Sequence, residues 1–175
     1  MIFNAASLST IVLCALASLG SVAAVPSPFE YPEVVPGPGL PSLASLGITS
    51  KDLFEGTGAN APAKRDLLAR FDRICYDNGC GRVSRANAQA CVDYLIRLDT
   101  QQCVVGTSPA VMCVAGDAII YGNNISGNGQ VSSYCRDVGY GAKSVVDNCT
   151  DGNGQVAGAD AAGGNGGLVV SIERC

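Results

Sequence analysis

Residues 75–175, which run from CYDNGC (75–80) to SIERC (171–175), decide the fold of this chain because they hold eight of its nine cysteines. An even number of cysteines in a short secreted module is typical of a disulfide framework, and a span of this length buries only a modest core without one. The sequence therefore predicts four disulfides among Cys75, Cys80, Cys91, Cys103, Cys113, Cys135, Cys149 and Cys175.

The ninth cysteine, Cys14, lies in an uncharged apolar run that fits a secretory signal peptide over residues 1–24. Val22 and Ala24 suit the small-residue cleavage rule, and Pro26 follows without the basic flank of a membrane anchor. Loss of Cys14 turns an odd cysteine count into an even one, which supports an oxidising destination. We therefore expect a secreted, extracellular protein.

Residues 25–65 form a Pro-rich segment without cysteine that ends in the only dibasic pair of the chain, Lys64-Arg65. This composition predicts a disordered pro-segment, in which apolar residues over 42–54 could form a transient helix. The pair resembles a processing site of the fungal kexin type. The mature protein, residues 66–175, is then expected to begin near Asp66.

The mature part carries eleven acidic and eight basic side chains, a net charge of −3. A chain of this charge has no basic field for nucleic acid. It also has no cationic amphipathic helix and no apolar run of about 20 residues for direct membrane insertion. The expected partner is therefore an unknown protein or cell-surface target of a host or a rival microbe, bound by a monomer.

Two stretches of the module have the apolar period of a helix. The first helix is predicted over 86–98, with Ser84 or Asn87 at its start. Its buried stripe consists of Ala88, Cys91, Val92, Leu95 and Ile96. The second helix is predicted from Ser133 through Cys149, capped by Ser132 or Ser133. Gly139 and Gly141 weaken this second helix by about 1 kcal/mol each relative to Ala.

Runs of β-branched and apolar residues predict strands over 103–105, 110–115, 118–121, 155–159 and 168–173. Glycine and asparagine predict a hairpin turn at Gly116-Asp117 and further turns over 122–124 and 162–167. In the last strand, alternation places Val169, Ser171 and Glu173 on one face.

The order of elements predicts an α+β fold, a small disulfide-stapled antiparallel sheet with two helices on one face. This is the split βαβ or ferredoxin-like kind of sandwich, and its other face should show polar groups.

The length of the second helix restricts the disulfide pairing. A continuous helix separates Cys135 from Cys149 by about 21 Å, whereas a disulfide needs Cα atoms within about 7 Å. We therefore expect these two cysteines to bond elsewhere, with at least one bond from the second helix to the segment Cys91–Cys113. Cys175 should be tied back to the N-terminal part of the module.

Side chains that usually act in catalysis or metal binding are scarce in this chain. The chain has no histidine, which removes Ser-His and Cys-His nucleophilic pairs and mixed Cys/His zinc sites. Its cysteines lack Cys-x-x-Cys spacing and its glycines lack the order of a phosphate loop, so no metal or cofactor is expected. We predict that the protein is not an enzyme. The alternative is a hydrolase with an aspartate pair drawn from Asp137, Asp147, Asp151 and Asp160.

Two sequences match the glycan acceptor pattern, Asn124-Ile125-Ser126 and Asn148-Cys149-Thr150. Asn124 falls in a loop rich in glycine and asparagine and is the favoured site. Asn148 precedes a cysteine near a helix end, where the acceptor could be blocked. A glycoprotein is expected on this basis.

The module opens with Cys-x4-Cys-Gly at 75–81 and a cysteine-bearing helix, continues with MCVAGDA (112–118), and closes with QVAG (155–158), GLVVSI (167–172) and Cys175. This layout resembles the fungal killer-toxin-like secreted proteins, which include the viral killer toxins of smut fungi and necrosis-inducing effectors of plant-pathogenic fungi. The resemblance implies a small α+β sandwich and, for the toxins, block of a calcium channel. Their functional basic side chain has no assigned counterpart, because Lys143 is the only lysine of the mature part.

The sequence as a whole predicts a secreted fungal toxin-like effector that contributes to virulence or growth inhibition by binding a cell-surface or apoplastic target. Two other classes stay open, namely the hydrolase and a structural cell-surface protein such as a hydrophobin. The hydrophobin class is disfavoured because the chain has no Cys-Cys pair and its predicted helices have charged faces.

Overall fold

The computed structural model describes residues 30–56, 71–76, 79–163 and 165–175. Residues Tyr31–Cys175 form one compact unit, and of a second unit over Met1–Glu30 only Glu30 is described. The signal peptide over 1–24 and the processing pair Lys64-Arg65 lie outside the described residues and stay predictions.

The described residues form ten strands and three α-helices. The strands are β1 (Val34–Pro36), β2 (Ile74–Cys75), β3 (Val83–Ser84), β4 (Gln102–Val105), β5 (Ala110–Ala115), β6 (Ala118–Asn124), β7 (Val131–Tyr134), β8 (Gln155–Val156), β9 (Gly158–Ala162) and β10 (Asn165–Glu173). The helices are α1 (Ser50–Phe54), α2 (Arg85–Arg97) and α3 (Cys135–Cys149), and a 3-10 turn spans Ala44–Leu46.

Six strands make one sheet in the order β1-β5-β6-β10-β9-β2, in which every pair is antiparallel. The C-terminal strand β10 lies in the centre, between β6 and β9. The short ribbons β3-β8 and β4-β7 are also antiparallel. The α+β class with an antiparallel sheet is confirmed. Its strand order differs from a βαβ unit, whose crossover connects parallel strands.

Helices α2 and α3 pack together on one face of this sheet. Ile120 of β6 and Val170 of β10 point to that face, and both are fully buried with Leu95 of α2 and Val145 of α3. The predicted apolar stripe of α2 is buried as expected. Two helices therefore shield one face of the sheet, as the sequence predicted.

The helix starts differ from the predicted caps. Ser84 is the N-cap of α2, but its side chain makes no capping bond. Instead the carboxylate of Asp117, in the β5–β6 turn, accepts the backbone N–H of Ser84 at 3.1 Å and the side-chain amide of Asn87 at 2.8 Å. Ser132 and Ser133 do not cap α3, because both belong to β7.

The first N–H groups of α3 are satisfied by backbone oxygens. Cys135 N–H donates to the Gln101 oxygen at 2.8 Å, and Arg136 N–H donates to the Asp99 oxygen at 3.2 Å. These bonds fix the start of α3 against the chain that leaves α2.

Three strand boundaries in the second half of the module were wrong. The predicted turn over 122–124 is the end of β6, because it pairs with Leu168–Val170 of β10. The predicted strand over 155–159 is two strands, since β8 pairs with β3 and β9 joins the main sheet. The predicted turn over 162–167 is shorter, because Asn165 already pairs with Ala162. Main-chain pairing decided these boundaries, and the partners of β6 and β8 are remote in sequence.

The eight module cysteines form four disulfides, Cys75–Cys149, Cys80–Cys175, Cys91–Cys113 and Cys103–Cys135. Cys135 and Cys149 bond elsewhere, Cys135 reaches the segment Cys91–Cys113 through Cys103, and Cys175 returns to Cys80. Each of these expectations is confirmed. Four disulfides in a domain of this size are typical of an extracellular or secreted protein.

The prediction of disorder over 25–65 is wrong for residues 30–56. Strand β1 pairs with β5, α1 packs against α2, and Val34 and Leu53 belong to the hydrophobic core. Leu40, Leu43, Leu46, Ile48 and Phe54 pack against that core. The segment is ordered because the folded module offers it a sheet edge and an apolar surface, which composition alone does not reveal.

Candidate functional site

The face of the sheet opposite α2 and α3, here called the outer face, has no described helix packed on it. Antiparallel pairing arranges its side chains in three rows across the strands. The first row is Val35, Val114, Ile119 and Glu173. The second row is Val111, Tyr121, Ser171, Ala159 and Ile74. The third row is Asn123, Val169 and Ala161.

Exposure on the outer face is highest at its two edges. Val35 of β1 is 46% exposed and Ile74 of β2 is 49% exposed. The aliphatic and aromatic side chains of β5 and β6, such as Ile119 and Tyr121, are half-buried, while Val169 of β10 is buried. The expectation of a polar face is therefore only partly right, because aliphatic side chains occupy much of it.

A line of polar side chains crosses the middle of the outer face. The Asn123 side-chain amide donates to the Ser171 hydroxyl at 3.0 Å, and that hydroxyl donates to the Glu173 carboxylate at 3.1 Å. Ser171 is nearly fully buried, so its two hydrogen bonds satisfy a hydroxyl that would otherwise be costly to bury. The line holds the central side chains of this face in fixed positions.

Tyr76 lies beside this line. Burial, with a smaller contribution from the Glu173 carboxylate, raises the pKa of Tyr76 to about 12, and the Ser171 hydroxyl opposes this shift. The phenol is therefore protonated at neutral pH and keeps its hydrogen-bond donor. Aromatic and aliphatic groups around fixed polar groups suit the binding of a protein surface.

Disulfides fix the frame that carries the outer face. Cys75 ends β2 and is bonded to the last residue of α3, Cys149. Cys175, two residues beyond β10, is bonded to Cys80. Both the edge strand and the central strand of the outer face are thus covalently held. A rigid surface loses little conformational entropy when it binds a partner.

The four aspartates of the hydrolase alternative have separate structural partners. Asp137 and Asp147 are ten residues apart along α3, about 15 Å, beyond the roughly 9.5 Å limit for paired glycosidase carboxyls. Asp147 pairs with Lys143 at 2.7 Å, and Asp160 lies 3.9 Å from Arg73. Backbone N–H groups of Gln155 and Asn153 lower the pKa of Asp151.

The two predicted glycan acceptors differ in environment. The Asn124 side-chain amide donates to the Gly106 oxygen at 3.1 Å and to the Asn128 oxygen at 2.8 Å, so both of its N–H groups are used in the loop. Asn148 is exposed in the last turn of α3, and its amide makes one bond within the helix, to the Ser144 oxygen. Glycosylation at either asparagine stays a prediction.

The described part of the chain lacks two features. None of its helices is long and apolar enough to cross a membrane. No cluster of three or more potential metal ligands occurs among those residues.

The sequence pointed to only part of the outer face. Alternation in β10 predicted that Val169, Ser171 and Glu173 share a face, and this is confirmed. Asn123 was missed as a member because the strand was expected to end at Tyr121. Residues 118–124 read AIIYGNN and show no alternation of apolar and polar residues, so the sequence carried no local signal for the longer strand.

No curated protein and no solved structure matches this chain significantly. The family model described as Domain of unknown function (DUF8794) matches residues 72–174. This match covers more than half of the chain and nearly all of the disulfide-bonded module, so the chain belongs to that family.

Proposed function

We propose that this protein is a secreted, toxin-like effector that acts by binding a protein on the surface or in the apoplast of a host or competitor cell, and that the outer face is its binding surface. The observation that carries the proposal is the outer face itself. It presents exposed and half-exposed aliphatic side chains around a fixed polar line on a sheet held by disulfides.

The chemistry of the module supports a protein partner over other classes. Its net charge of −3 is unfavourable for nucleic acid. The resemblance to fungal killer-toxin-like proteins supports a target on a living cell. A disulfide-stapled module without paired carboxylates on α3 favours binding over hydrolysis.

Infiltration of the mature module into leaf tissue, beside a growth assay on competing fungi, tests this function. Ile119→Ser and Ile74→Ser remove aliphatic side chains from the outer face and should reduce cell death or growth inhibition at least about tenfold. Val104→Ser is the matched control, since Val104 is 46% exposed on the β4-β7 ribbon and is not part of the outer face.

Wild-type protein without effect in both assays would refute the proposal. Equal activity of the outer-face variants and the control would refute the assigned surface. Release of reducing sugar from wall polymers by the wild-type protein would instead favour the hydrolase.

A further inference from the structure

The ordered N-terminal segment, residues 31–56, is attached to the module in an unusual way. It contains no cysteine, so only the chain between residues 56 and 71 connects it covalently to the module. That connection includes the dibasic pair Lys64-Arg65. If this pair is cut, contacts alone hold the segment in place.

The segment is organised as a clip whose two ends meet. The rings of Tyr31 and Phe54 are stacked with centroids 5.1 Å apart, and Val34 N–H donates to the Ser50 hydroxyl at 2.9 Å. Thr49 and Asp52 form a capping box that starts α1. These bonds shape the segment before any contact with the module is counted.

One part of the clip occupies the outer edge of β5. Strand β1 pairs antiparallel with Cys113–Ala115, and Gly37 N–H extends the pairing to the Met112 oxygen at 2.9 Å. Val34 is 2% exposed and belongs to the core, whereas its neighbour Val35 points to the outer face. Strand addition with one inserted side chain is a standard mode of recognising an extended peptide.

The other part of the clip covers α2. Leu53 of α1 is 1% exposed, and the Tyr94 hydroxyl of α2 donates to the Pro41 oxygen at 2.7 Å. Tyr94 is fully buried, and burial raises its pKa to about 12. Without the clip, this hydroxyl would lose its partner and β5 would become an unpaired edge strand, which readily accepts another strand.

The net charges of the clip and the module have the same sign, although Arg97 at the end of α2 attracts the Asp52 carboxylate of α1. Residues 31–56 carry three acidic side chains and one basic side chain, and the mature module has a net charge of −3. Like charge weakens the attachment at low salt.

We propose that the edge of β5 and the adjoining surface of α2 form a second binding surface, which takes an apolar segment of a partner protein that adds a strand to β5, and which residues 31–56 occupy until the chain is cut. This inference deepens the proposed binding function and rests on it and on cleavage at Lys64-Arg65. Before cleavage the clip has a high effective concentration because it is tethered. After cleavage it can be displaced.

A peptide exchange experiment tests this surface with the full chain. The purified chain over 25–175 is cut with a kexin-type protease, and the variant Lys64→Ala/Arg65→Ala remains uncut. A fluorescent synthetic peptide of residues 31–56 is then added to each, and binding is followed by anisotropy. The labelled peptide should bind the cut protein at least about 20-fold more tightly than the uncut variant.

Two peptide variants distinguish strand pairing with β5 from non-specific binding. Val34→Asp places a charge in the core and should weaken binding to the cut protein at least about 100-fold. Val35→Asp, on the exposed side of the same strand, should change it by less than about threefold.

Three results would overturn the inference. They are equal binding to cut and uncut protein, no exchange into the cut protein, and equal effects of the two valine variants. None of these readouts depends on cells. A failed infiltration assay beside successful exchange would therefore refute the toxin-like function and leave the second surface standing.

Discussion

Gly141→Ala should destabilise the protein, although it improves the helix propensity of α3. Replacing an interior helical glycine by alanine contributes about 1 kcal/mol of propensity. At this position, however, an added Cβ would lie 2.5 Å from the backbone oxygen of Ala161 and 3.1 Å from its carbonyl carbon. Ala161 belongs to β9, inside the main sheet, so the obstacle cannot rotate away as a side chain would.

The size of the effect follows from these opposing contributions. Helix α3 must move away from β9 by about half an ångström or more, and overpacking of this kind costs about 1–3 kcal/mol. Because the obstacle is backbone, the upper end of that range applies. The net loss is then about 2 kcal/mol, which lowers the melting temperature by about 4–8 °C for a chain of this size.

Thermal unfolding followed by circular dichroism, with the disulfides intact, measures this change. Gly106→Ala is the control, since an added Cβ there meets nothing within 4 Å and the backbone is not left-handed. Its free energy of unfolding should stay within about 0.5 kcal/mol or rise slightly. A melting temperature of Gly141→Ala at or above that of the wild type would refute the packing argument.

Asp93→Asn should raise the melting temperature at pH 7. Burial raises the pKa of the Asp93 carboxyl, so the stability of the wild type falls as pH rises through that pKa. The difference in melting temperature between the variant and the wild type should disappear below about pH 4, where the wild-type acid is neutral. Replacing Cys80 and Cys175 by Ala opens a loop of 95 residues and should cost up to about 4.7 kcal/mol in urea unfolding. N-terminal sequencing of secreted protein should begin near Asp66, and Val25 as the only start would contradict processing.

Helix α2 and the β5–β6 hairpin could be predicted because their signals are local. The apolar period placed the helix over 86–98, and the structure has it over Arg85–Arg97. Gly116-Asp117 marked the turn, and Gly116 adopts the left-handed backbone that favours glycine. Even here the sequence did not reveal that the Asp117 carboxylate accepts the backbone N–H at the start of α2, because Asp117 is remote in sequence from Ser84.

The two glycines of α3 illustrate why propensity alone misjudged this helix. The sequence suggested that Gly139 and Gly141 weaken it, which holds for an isolated helix. In the fold, Gly139 lets the chain approach the backbone of Ile96 in α2, and Gly141 lets it approach Ala161 of β9. Close packing on two sides outweighs the propensity, and neither neighbour could be identified from the sequence.

The N-terminal segment was misjudged for a related reason. Prolines interleaved with glycine and serine, in a segment without cysteine, predicted disorder because little would hold such a segment in a packed core. In the structure they lie where no donor is needed: Pro36 is the last residue of β1, and Pro41 only supplies a carbonyl to Tyr94. What orders the segment is a free strand edge on the module, and composition contains no information about such an edge.

The placement of the disulfides explains how a cut between residues 56 and 71 could change the surface without unfolding the module. The four bonds join β2 to α3, Cys80 to the C-terminus, α2 to β5, and β4 to α3. None of these disulfides reaches β1 or α1, whose attachment includes backbone pairing, apolar contacts, the hydrogen bond from Tyr94 and the attraction between Asp52 and Arg97. All four disulfides therefore lie within residues 75–175, whereas residues 31–56 are held on the module by non-covalent contacts. Cleavage would leave a stapled module with β5 as a newly available edge.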